Sequence, residues 1–124
     1  MKNGSVAENV KNYLMSNGQN CEKMNPTIRS KIIFGIAAIM KRIHQNKIVH
    51  RHLALESVFL DDNFEPIICD FKYANFMSDK RNHGSYTYDS IYSNKIKLPP
   101  EFATGEKTTI SSSFDVYSYG FLLF

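Results

Sequence analysis

The stretch "IVHRHLALESVFLDD", residues 48–62, sets His50 and His52 on either side of Arg51, between a helical stretch and a short apolar run. An imidazole accepts a proton near neutral pH, its reference pKa being about 6.5, and it ligates zinc when grouped with other nitrogen or sulfur donors. The motif therefore reads as a working proton-transfer site, a metal site, or the relic of a site. For zinc the usual company is missing, because there is no C-x-x-C and no second histidine pair, and alternate residues on a loop point in different directions. Further along, Asp70 stands at the end of another apolar run, offering a carboxylate to whatever the loop binds. Residues 71–99 hold the hydroxyls of Ser85, Tyr86, Thr87, Tyr88, Ser90, Tyr92 and Ser93. The basic residues there are Lys72, Lys80, Arg81, Lys95 and Lys97 and the acidic ones Asp79 and Asp89, a local +3 equal to the formal charge of the chain. Such hydroxyls can receive phosphate, and the same composition also describes a solvated polar loop.

The elements that must position these groups are legible in part. Ser5 and Glu8 have the spacing of a capping box, and Val6, Val10, Tyr13 and Leu14 follow before Asn17-Gly18, which predicts a short amphipathic helix. Asn25-Pro26 is a cap followed by proline at the first helical position. Ile28, Ile32, Ile36, Met40 and Ile43 then share one face, which predicts a helix to about Gln45. Within it "AIMK", residues 38–41, is helix surface. Two apolar runs, residues 58–60 and 67–69, flank the turn-rich "DDNFEP" and read as a small hairpin that delivers Asp70 to a loop. From residue 71 to about residue 109 periodicity fades, and a loop of that length in a compact domain is a functional surface or is disordered. A last helix starts near "SSSFD" and runs apolar to Phe124 without cap or polar tail, so the chain reads as cut short. A helix apolar on nearly every side is normally surrounded by other elements.

The 124 residues suit one small domain. With 43% hydrophobic and 22% charged residues, the chain is too apolar for intrinsic disorder and too evenly charged for a membrane span. A net +3 is too small to argue for nucleic acid, so neither nucleic acid nor membrane is expected as a partner. Cys21 and Cys69 are unpaired in pattern, and "MKNGSVAENV" lacks the apolar core of a secretory signal. The expected setting is reducing and cytoplasmic.

The order helix, "HRHLALES", hairpin, "DFK", long loop, "PPE", "DVYSYG" resembles the C-terminal lobe of the eukaryotic protein kinases, over nearly the whole chain. Against the catalytic loop H-R-D-L-x-x-x-N, His50, Arg51 and Leu53 match. His52 stands where the aspartate belongs and Ser57 where the asparagine belongs. Asp70-Phe71-Lys72 faces D-F-G, Pro99-Pro100-Glu101 faces A-P-E, and Asp115 opens the equivalent of D-V-W-S-F-G. The implied fold class is α+β and protein-kinase-like. It comprises a mainly α-helical C-terminal lobe with a small β-hairpin, truncated so that residues 1–124 form a partial domain without the N-terminal lobe. The glycines at 4, 18, 35, 84, 105 and 120 cannot form the Gly-rich loop of that missing lobe.

The resemblance assigns roles, and the substitutions alter them. In the family an aspartate accepts the substrate hydroxyl's proton, while an asparagine and the D-F-G aspartate hold Mg²⁺. His52 brings a bulkier ring and no negative charge to the first position. Ser57 is shorter than asparagine by an amide group, which weakens the second metal site. Ala54 stands where many serine/threonine kinases place a lysine near the transferring phosphate. Asp70 keeps its metal-binding chemistry, and Arg51 is either a partner for a loop phosphate or a hydrogen-bonded anchor. His50, Phe71, Glu101 and Asp115 hold structural positions of the motifs. Lys72 replaces a glycine that reaches positive φ without cost, and its ammonium is a candidate internal partner for Asp70. The family threonine near the loop's end aligns with Asn94. No cofactor is expected for this chain alone. Mg²⁺ and ATP belong to the rival reading, a kinase transferring the γ-phosphate to protein Ser, Thr or Tyr within a longer or complemented domain. The leading expectation is a degenerate, pseudokinase-like fragment that binds a protein partner, or a separate N-terminal lobe, through its surface. A product of a disrupted gene is the third reading.

Overall fold

A computed structural model describes residues 3–15, 24–77, 99–103 and 111–123 of the chain. These fall into two compact units, residues 1–40 with 55–69 and residues 41–54 with 70–124.

In the first unit α1 (Val6–Met15) begins with a reciprocal cap. The backbone N–H of Glu8 donates to Ser5 Oγ at 3.2 Å, and the N–H of Ser5 donates to Glu8 Oε2 at 3.0 Å. Two N–H groups that the first turn leaves without intrahelical partners are thereby satisfied. The helix packs on a 3₁₀ turn (Leu55–Ser57) and on strand β2 (Val58–Leu60), burying Val6 against the level of Val58 and Leu60. β2 pairs antiparallel with β3 (Pro66–Ile68), Val58 opposite Ile68 and Leu60 opposite Pro66. Asp61 closes the connection by accepting the N–H groups of Asn63 and Glu65 on Oδ1, both at 2.8 Å. The paired strand starts at Pro66 rather than at residue 67 as expected. Proline needs no ladder donor at the first residue of a strand, and Cys69 instead donates its N–H to Ser57 O at 2.8 Å.

α2 (Pro26–Gln45) starts as expected, with the N–H of Ile28 donating to Asn25 Oδ1 at 2.8 Å. Ile32, Ile36 and Met40 are buried along one face, so "AIMK" is helix surface only at Ala38 and Lys41 while Met40 turns into the core, and Ile28 and Ile43 at its ends are half-buried. Gly35 lies where a Cβ would stand 2.5 Å from Pro66 Cγ, so the absence of a side chain is what lets the hairpin approach the helix.

The second unit contains a ribbon that the sequence reading placed inside a loop. β1 (Ile48–Val49) pairs antiparallel with β4 (Asn75–Phe76), and the N–H of Met77 donates to Lys47 O at 2.8 Å. Residues 71–77 are thus ordered by a 3₁₀ turn (Phe71–Tyr73) and this ribbon. Strands of two residues are too short to show a period-2 pattern, which is why they were not legible. A short helix α3 (Pro100–Ala103) carries Glu101, and α4 (Ser112–Leu122) packs on β1. α4 buries Phe114, Asp115 and Ser118 while Val116, Phe121 and Leu123 stay exposed. No described helix is long and apolar enough to cross a membrane. The helix end expected at Asn17-Gly18 and Cys21 lie outside the described residues, as do Asn94, Lys80, Arg81, Lys95, Lys97, Asp79, Asp89 and the hydroxyls of residues 85–93.

Candidate functional site

The site is built from the second unit around Asp115, a carboxylate with no side-chain exposure. Its Oδ2 accepts the N–H of His50 at 2.8 Å and its Oδ1 accepts the N–H of Arg51 at 2.8 Å. His44, in the last turn of α2, brings Nε2 to 2.9 Å from the same Oδ2. A buried charge is tolerated when several donors converge on it, and here two come from the loop that carries the candidate chemistry. That loop bends at Arg51, whose φ of 66° is rare for a residue with a Cβ. The carboxylate bound to both neighbouring N–H groups holds the bend.

His50 is fully buried, and its ring meets Phe71 edge to face with centroids 4.7 Å apart. Its Nδ1 accepts the N–H of His52 at 3.3 Å. The bend directs the His52 ring to Asp70, Nδ1 standing 2.7 Å from Oδ2 with the ring turned off a straight hydrogen-bond line. Tyr73 flanks His52 with centroids 5.1 Å apart, and Lys72 places Nζ 3.8 Å from Asp70 Oδ2 and 4.8 Å above the Tyr73 ring.

Asp70, not Lys72, takes the left-handed conformation, with φ 66° and ψ 53° before the 3₁₀ turn. Lys72 itself has no positive φ, so the conformation that glycine would reach without cost is not used at that position. Of the expected site residues, His50, Arg51, His52, Asp70, Phe71 and Asp115 are brought together. Ala54 is buried beside Leu53, and Glu101 is half-buried on α3. Ser57 belongs to the first unit, where it is buried at the end of the 3₁₀ turn. Among the described residues no group of three or more His, Cys, Asp or Glu side chains is arranged to hold a metal ion.

His44 and Tyr73 were not anticipated. His44 lies in the last turn of α2 and its partner lies 71 residues away, so no local spacing signals the contact.

A family profile described as protein tyrosine and serine/threonine kinase matches residues 1–124. A Helianthus annuus sequence whose name carries the serine/threonine-protein kinase designation is 31% identical over 98% of this chain and 48% of its own length. The proline-rich receptor-like protein kinase PERK4 of Arabidopsis thaliana is 32% identical over 86% of the chain and 16% of its own length. The Arabidopsis thaliana leucine-rich repeat receptor-like serine/threonine/tyrosine-protein kinase SOBIR1 is 36% identical over 84% of the chain and again 16% of its own. The chain spans about half the length of the first of these relatives and a far smaller share of the receptor kinases.

Proposed function

The chain belongs to the protein tyrosine and serine/threonine kinase family, and on that premise we propose that it is a non-catalytic member that works by binding a protein. One observation carries the reading. The side chain at the proton-acceptor position is an imidazole, and its Nδ1 is engaged with Asp70 at 2.7 Å instead of presenting a carboxylate to a substrate hydroxyl. Phosphoryl transfer draws on positioned negative charge at that point and on cations around the phosphates. His52 lacks the first, and Ala54 lacks the charge that a lysine there would contribute to the second. The scaffold around the site is retained, with Asp115 holding the loop and His50 packed on Phe71. A retained scaffold with altered chemistry fits a surface kept for contact with another protein. The relatives named as receptor-like kinases suggest a signalling setting.

Isothermal calorimetry of the chain with ATP and Mg²⁺ tests the reading. The expected result is no saturable heat at millimolar nucleotide. Binding with a dissociation constant in the micromolar range, at about −8 kcal/mol, would contradict it.

A further inference from the structure

The kinase family implies a divalent cation on Asp70, and the residues present do not fit one. Magnesium takes oxygen ligands in near-octahedral geometry at about 2.1 Å. Asp70 Oδ2 instead faces two nitrogen groups, His52 Nδ1 at 2.7 Å and Lys72 Nζ at 3.8 Å. An ion on Oδ2 would have to displace the His52 ring from its place 2.7 Å away and would meet the ammonium of Lys72, which repels it. The His52 ring sits between Asp70 and the Tyr73 edge, its side chain only 14% exposed, and the Lys72 ammonium rests over the Tyr73 ring.

We infer that His52, Lys72 and Tyr73 form an internal clasp on Asp70, the ring of His52 filling the space beside Oδ2 and Lys72 supplying the positive charge, that excludes divalent metal, with Lys72 as the residue that sets this selectivity. The inference deepens the non-catalytic reading and rests on it. It concerns the metal alone, so it is tested without nucleotide or phosphotransfer.

The experiment is Mn²⁺ binding to the full chain, followed by the electron paramagnetic resonance signal of the free ion. The parent and Lys72→Arg should show no saturable binding up to millimolar Mn²⁺. Lys72→Met with His52→Asn, which removes the ammonium and the ring beside Oδ2, should gain affinity by at least about tenfold, as expected for loss of a like-signed group near a partly exposed carboxylate. Adding Asp70→Asn to that variant should abolish the gain. Lys72 is exposed, so Lys72→Met alone serves as the variant that leaves the fold intact, and it should show part of the gain. Saturable, Asp70-dependent Mn²⁺ binding by the parent would overturn the inference. So would a folded Lys72→Met chain, judged by its circular dichroism melt, that binds no more Mn²⁺ than the parent.

Discussion

The carboxylate of Asp115 holds the backbone N–H of Arg51 at 2.8 Å across 64 residues of sequence. This bond, with its twin to His50, ties the candidate loop to α4 and so fixes where His52 points. Asp115→Asn keeps the shape but exchanges an acceptor oxygen for an NH₂ group that faces donors. Leaving a buried N–H without an acceptor costs roughly 2–4 kcal/mol once the charge-assisted bond is also lost. The thermal midpoint should fall by on the order of 10 °C, measured by circular dichroism. An unchanged midpoint would mean that the loop is held by something else.

The cap of α1 is a local device and should behave as one. Ser5→Ala removes the oxygen that accepts the Glu8 N–H and should cost about 1 kcal/mol in a urea melt. Glu8→Ala removes the returning contact to the Ser5 N–H and should cost less than Ser5→Ala. Because both act on one box, the double variant should fall short of the sum of the singles.

Gly35 is a packing position rather than a turn. Gly35→Ala gains helix propensity worth about 1 kcal/mol, yet its Cβ would stand 2.5 Å from Pro66 Cγ. Overpacking at a contact between helix and hairpin costs about 1–3 kcal/mol, so the net effect should be destabilising. Gly35→Ala combined with Pro66→Ala, which clears the space, should recover most of the loss.

What the sequence made legible follows the range of the interaction. The Ser5 and Glu8 box and the Asn25 cap act over three residues, and both helices they start were expected where they stand. The hairpin was expected from two apolar runs and was misplaced by one residue, because Pro66 looks like turn chemistry although it opens a strand. The β1 and β4 ribbon was missed, since two-residue strands show no period and their partners lie far apart in sequence. In the site, motif order gave His50, Arg51, His52, Asp70 and Asp115. The contact of His52 with Asp70 and that of His44 with Asp115 depend on the fold bringing distant residues together, and no spacing rule states them. The positive φ of Asp70, at the start of the 3₁₀ turn, was not legible from its residue type.

We propose that His52 in the proton-acceptor position leaves this kinase-family fold without phosphotransfer. An N-terminal kinase lobe supplied to the parent chain and to the His52→Asp, Ser57→Asn variant allows transfer of the ATP γ-phosphate to a protein substrate to be followed in both. No transfer above background is expected for the parent and measurable transfer for the variant. Transfer by the parent at a rate comparable to the variant would overturn the proposal.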